Sequence, residues 1–244
     1  MTKTTIRRIA AVTAGLALVA TAGCVRVELP TGEYESSGEQ IGSGGAGELD
    51  VRIDMAAGRL TLAGGAEGAL DADFDYTRAA WEPQVDYDVA GGTGTLSVTT
   101  PDVPGFTFER DLRYDWDLRL PSDLPLGLSV NMGAGEADLD LRGTMLRTLD
   151  VDLGAGDATI DLSGVWNDDI TGEINTGAGA VTLKVPADVG VRIVGYQDGL
   201  GSYRADGFAQ DGDALVNDAW ETAEVRFDLV LRRGLGDVTI ETIE

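Results

Sequence analysis

Met132-Gly133-Ala134-Gly135-Glu136-Ala137-Asp138-Leu139-Asp140-Leu141 is answered 21 residues later by Leu153-Gly154-Ala155-Gly156-Asp157-Ala158-Thr159-Ile160-Asp161-Leu162. A third copy, Thr176-Gly177-Ala178-Gly179-Ala180-Val181-Thr182-Leu183-Lys184-Val185, follows after 23 more. Looser copies stand at Met55-Ala56-Ala57-Gly58-Arg59-Leu60-Thr61-Leu62 and at Arg233-Gly234-Leu235-Gly236-Asp237-Val238-Thr239-Ile240. Each is a glycine-rich corner followed by an alternating apolar and polar run. A period of about 21–23 residues, too short to fold alone, predicts stacked coils of about two strands each, a right-handed β-solenoid. Stacking would place Leu139, Ile160 and Leu183 in one interior ladder and Leu141, Leu162 and Val185 in the next, with the intervening aspartates outside. Glycine at the corners permits the positive φ that a sharp bend requires.

Upstream of the repeat the same alternation recurs, with Leu49, Val51 and Ile53 on one face and Asp50, Arg52 and Asp54 on the other. It continues at Phe74-Asp75-Tyr76, Val85 to Val89 and Thr95 to Val98, separated by glycine turns. The pattern is all-β, and no amphipathic helix follows residue 24. Pro101, Pro104, Pro121 and Pro125 mark a junction, dividing a small β module at 48–110 from the solenoid at 111–244. Residues 24–47 are rich in glycine, serine and glutamate without apolar period, the composition of a flexible acidic tether.

The N-terminus carries Lys3, Arg7 and Arg8, then fourteen uncharged residues from Ile9 to Ala22. That run is too short for a spanning helix, which needs roughly 20 residues, and fits a cleaved signal peptide at 1–23. Thr21-Ala22-Gly23-Cys24 resembles the lipobox of bacterial lipoproteins, with threonine where leucine is usual. The resemblance implies that Cys24, the single cysteine of the chain, is lipidated and holds the protein to the outer face of the cell membrane. No disulfide within one chain is then available, so packing must stabilise the fold.

Charge narrows the partners. The chain has 42 acids, 18 bases and no histidine. Losing Lys3, Arg7 and Arg8 leaves 15 bases against 42 acids, an excess of 27 negative charges. Such a surface repels nucleic acid and anionic headgroups alike, so lipid, not charge, must supply membrane affinity.

The Gly-Ala-Gly corners, Gly199-Leu200-Gly201-Ser202-Tyr203 and Gly234-Leu235-Gly236-Asp237-Val238 resemble the bacterial toast-rack and putative-adhesin families of envelope β-solenoids. The segment from Glu48 to Val98, with Trp81-Glu82-Pro83, resembles the smaller module preceding the toast-rack solenoid. The resemblance implies the fold and an adhesion-like or envelope-stress role, with no catalytic residue to carry over.

Histidine is absent and Cys24 is assigned to lipid, which removes most nucleophile and base chemistry. Lys184, the single lysine after processing, aligns with Asp140 and Asp161, and reads as a cation relieving stacked carboxylates in preference to half of a serine–lysine dyad. The glycine motifs open no helix and are not nucleotide loops. Calcium is a candidate ligand, with Asp138, Asp140, Asp157 and Asp161 as ligands and Asp150 and Asp152 nearby, against the plainer reading of a solvated acidic face. The expectation is a non-enzymatic, cofactor-free module that meets an envelope protein or polymer through its acidic face or an aromatic patch. The alternative is an envelope glycan hydrolase working through paired carboxylates.

Overall fold

The computed structural model describes residues 3–6, 34–102, 113–196 and 199–244. Cys24, most of the leader and residues 24–33 of the expected tether lie outside the described residues. The strands, in chain order, are β1 (Lys3–Ile6), β2 (Glu35–Ile41), β3 (Glu48–Ala66), β4 (Leu70–Tyr76), β5 (Gln84–Ala90) and β6 (Thr93–Thr99). Then come β7 (Tyr114–Pro121), β8 (Pro125–Asp140), β9 (Met145–Asp161), β10 (Ile170–Ala178), β11 (Val181–Pro186) and β12 (Gly190–Val194). The last are β13 (Tyr203–Ala205), β14 (Phe208–Asp211), β15 (Ala214–Asn217), β16 (Arg226–Leu235) and β17 (Val238–Ile243). Among the described residues the one helical element is a 3₁₀ turn, Ala79–Trp81.

The repeats stack in register as parallel rungs of a β-solenoid. Leu139 lies opposite Ile160 and Ile160 opposite Leu183, and the ladder runs on through Ile240 and Ala205 at one end and through Leu62 and Leu118 at the other. A second interior ladder joins Val98, Ile53, Val130, Val151, Ile174 and Leu231. β3, β8 and β9 each pass through the corner without interruption, so two ladders fold against each other around one apolar core. Leu62, Leu139, Ile160, Leu183 and Ile240 are completely buried.

Two columns of glycine make the corner. Gly58, Gly135, Gly156, Gly179 and Gly236 all have φ between 126° and 141°. A Cβ on Gly135 would strike the carbonyl oxygen of Gly58, one on Gly156 that of Gly135, and so on through Gly236 to Gly201. The missing side chain is what allows the rungs to close to strand spacing.

The order of rungs differs from the order of the chain. β3 lies inside the stack, with β6 and β7 on one side and β8 on the other. At the far end β16 and β17 are inserted between β10 and β11 below and β12 and β13 above. Antiparallel strands close the ends, β5 on β6 and β4 on β7 at one, β15 on β12 and β14 on β15 at the other. Such antiparallel caps satisfy the outermost rungs, which otherwise present open edges.

Two expected boundaries change. The division at 110/111 does not interrupt the sheet, because β3 pairs with β8 from Leu49 opposite Leu126 to Ala63 opposite Asp140, which makes the segment 48–66 a rung of the solenoid itself. The tether expected over 24–47 already contains β2, which pairs with β4 over seven consecutive residues and turns Ser37 and Ile41 inward.

Candidate interaction surface

The outward side chains on the strands of the first ladder form an acid-rich face. Its rows carry Asp71, Asp73 and Asp75 on β4, Asp115 and Asp117 on β7, Glu136, Asp138 and Asp140 on β8, and Asp157 and Asp161 on β9. Asp73 lies opposite Asp117 and Asp75 opposite Asp115, pairs that repel at strand spacing unless a cation intervenes. Arg113 intervenes at the second pair, 2.6 Å from Asp75 and 2.9 Å from Asp115. Arg59 meets Glu136 at 2.5 Å. These pairs are exposed and hold the surface geometry more than the fold.

The expected calcium ligands are distributed differently from an ion cage. Asp140 and Asp161 are brought together as direct partners, but Arg142 holds Asp140 through two nitrogens at 2.8 and 2.7 Å and reaches Asp161 at 3.7 Å. Lys184 stands 3.7 Å from Asp161, in line with its expected place in the aspartate column. Asp157 accepts the amide N–H of Ala180 at 2.9 Å, and Asp138 is exposed in a column of threonines. Asp161, expected outside, is buried, and accepts from the amide and hydroxyl of Ser163 at 3.0 and 2.5 Å. The signal for this was local: Asp140-Leu-Arg142 and Asp161-Leu-Ser163 are side-chain to backbone turns closed two residues on.

Charge crowding differs in sign across the surface. The Arg142 hydrogen bond holds the Asp140 carboxyl below its ordinary range. On the other ladder, burial followed by the neighbouring Asp152 and Glu173 pushes Asp150 up. A raised native pKa means that ionised Asp150 opposes folding, and the opposition disappears as pH falls below the unfolded value, about 4. For Asp140 the stabilisation is present above the unfolded value and is lost as pH falls through the native one. Asp150→Asn should therefore stabilise by a few tenths of a kcal/mol at pH 7 and Asp140→Asn destabilise in thermal melts, the first difference vanishing as pH falls below about 4 and the second only at lower pH, below the depressed native value of Asp140. A stabilising Asp140→Asn would reverse this account.

Four aromatic side chains cluster inside. Phe74 and Trp116 meet edge-to-face at 5.7 Å, Tyr114 and Trp116 at 5.5 Å, and Trp81 and Tyr114 at 6.2 Å, all buried in the core. The depressions on the strand faces are shallow and open. One is floored by Gly133, Gly154 and Gly177 beside Asn131, Asp152 and Asn175, another lies at Gly127 between Asp50 and Thr148. Neither has the aromatic platform on which a glycan hydrolase stacks its substrate. Among the described residues no helix is long and apolar enough to cross a membrane.

A family model described as the N-terminal domain of toast_rack matches residues 30–184, crossing the expected 110/111 boundary without a break. No curated protein matches the sequence. Among solved structures, a putative cell adhesion protein from Clostridium sporogenes superposes with a TM-score of 0.83 at 23% identity, over 86% of this chain and 100% of that one, which establishes the shared fold. A putative adhesin from Bacteroides fragilis aligns at 14% identity over 86% of this chain and 97% of its own, with a TM-score of 0.28.

Proposed function

The chain belongs to the toast-rack family, and on that premise we propose a non-enzymatic, adhesion-like module, lipid-anchored through Cys24 outside the cell membrane, that engages a cationic envelope component through its acidic face. The observation that carries the reading is the outer surface of β4, β7, β8 and β9, where carboxylates stand in register between β4 and β7 and between β8 and β9 on rows about 4.8 Å apart, the two pairs separated by the Arg59-Thr61-Ala63 row of β3 and only partly neutralised by arginines. A flat charged lattice of this kind suits a broad electrostatic contact. The description of the Clostridium sporogenes structure as a putative cell adhesion protein supports the same class of role. A role in envelope stress belongs to the same proposal, as a consequence of that contact.

Anchoring has its own test. Cys24→Ala should release the protein from the membrane fraction or leave it as an unprocessed precursor, because two or three acyl chains are the source of stable attachment. Mass spectrometry of the mature N-terminus reads the modification directly, and an unmodified Cys24 on firmly bound protein would refute it. Pull-down from membranes with the native anchored protein tests the contact. Partners lost on reversing Asp73 and Asp117 to lysine support the acidic face, and partners retained by that variant refute it.

A further inference from the structure

Among the described residues the strands at the margins of the sheet include β13, β14, β5 and β2. β13 and β14 are three and four residues long, and β5 carries exposed Asp86 and Asp88 beside Gln84. β2 is different. Its seven residues, Glu35-Ser36-Ser37-Gly38-Glu39-Gln40-Ile41, pair with β4 without a bulge and include no proline; like β5 it carries two carboxylates, Glu35 and Glu39, and what sets it apart is its occupant. This edge already holds a strand. β1 lies antiparallel along it, with Lys3 opposite Ile41, Thr4 opposite Gln40, Thr5 opposite Glu39 and Ile6 opposite Gly38.

β1 belongs to the leader, so its removal, on which this inference rests, leaves the outer backbone groups of β2 without their pairing. We propose that the mature protein uses the β2 edge to accept an extended cationic segment of a partner protein as an added antiparallel strand, in the position β1 holds before processing. Main-chain hydrogen bonds would supply the affinity, as in other strand-addition complexes. Charge selects the occupant. β2 contributes Glu35 and Glu39, and β4 beside it contributes Asp71, Asp73 and Asp75, while the segment containing β1 carries Lys3, Arg7 and Arg8 and no acid. A second copy would set the same acids against themselves. Position selects it further: β2 begins eleven residues after Cys24, which keeps the edge within about 40 Å of the anchoring lipid, so the partner is membrane-bound or membrane-adjacent.

The mature chain is a suitable reagent, because the core cluster among the described residues runs from Ile41 to Ile240, all of it within the mature chain. A chain beginning at residue 24, with Cys24→Ser, is titrated with the end-blocked peptide Met1–Arg8. Saturable binding is expected, with hydrogen-exchange protection confined to the amides of Gly38 to Ile41 that face away from β4. The peptide with Thr4→Pro and Thr5→Pro should lose both, because proline cannot donate to the ladder. The peptide with Lys3→Glu, Arg7→Glu and Arg8→Glu should bind about tenfold more weakly. Absent saturation, protection elsewhere, indifference to proline, or a concentration-dependent dimer that protects the same amides would each overturn the proposal. Processing is read separately by the N-terminal mass of the native protein. A lipidated Cys24 with a failed titration defeats the strand-accepting edge alone, whereas retention of residues 1–23 defeats both readings.

Discussion

Gly156→Ala is expected to abolish cooperative folding. The added methyl would enter the carbonyl oxygen of Gly135 on the rung below, and Gly156 has φ of 126°, a conformation that side chains with a Cβ rarely adopt. Relief requires separating β8 from β9 at the corner, which breaks hydrogen bonds along a ladder in which Gly135 and Gly156 are direct partners. Strain and lost pairing together should cost about 5 kcal/mol or more, against a total stability of about 5–15 kcal/mol for a domain. Gly143→Ala is the control. Its φ is 71° but nothing lies within 4 Å of the new methyl, so the cost should be about 1–2 kcal/mol from backbone conformation alone. Urea titrations of the two variants measure the contrast. A Gly156→Ala chain that unfolds within about 1 kcal/mol of the parent would mean that the corner can spread, and that close carbonyl approach does not set the rung spacing.

Ile160→Asp should be as damaging by a different route. Ile160 is completely buried between Leu139 and Leu183, at the centre of a ladder with apolar partners on both sides. A carboxylate there has no cation within the core, and must either remain charged without solvent or take up a proton at a pH where it would otherwise be ionised. Either cost is several kcal/mol, to which the lost aliphatic packing adds about 2–5 kcal/mol. The neighbouring Asp161 is an unsuitable control, because it is buried and held by Ser163, Arg142 and Lys184. Thr159→Ala, on the outward side of the same strand, should change stability by less than about 1 kcal/mol. Equal sensitivity at residues 159 and 160 in denaturant titrations would place the strand phase in error.

Why the ladder was legible and its ordering was not follows from what each depends on. Leu139, Ile160 and Leu183 announce themselves because alternation and repeat period agree, and the corner glycines repeat with them. Those are local properties. Placing β16 and β17 inside the stack depends on which rung meets which, and the copy at Arg233 to Ile240 would look the same wherever it was inserted. Pro101, Pro104, Pro121 and Pro125 suggested a separate module before the solenoid, yet β3, which carries the looser copy at Met55 to Leu62, keeps register with β8 across the corner. The acidic face was legible as composition, whereas the burial of Asp161 required the turn that brings Ser163 back to it. Trp81 gave no sequence sign of meeting Tyr114 inside the core, because the contact joins the 3₁₀ turn to β7 from a distant part of the chain, whereas Tyr114 and Trp116 share one face of the same strand.

The inserted rung bears on how the chain can reach this state at all when it is made from its N-terminal end. β3, β8, β9, β10 and β11 can stack as they emerge, each on a neighbour already present. β12, at 190–194, emerges before β16, at 226–235, the strand on which it lies. For the time taken to deliver some thirty residues, Val191 and Ile193 have no parallel partner, and the antiparallel hairpin with β15 is the available shelter. The last rung then has to slide between two surfaces that are already present. A polypeptide arrested before residue 226 would expose the apolar upper surface of β10 and β11 as a sticky, unfinished end, so the species most vulnerable to aggregation and proteolysis is the one just short of completion.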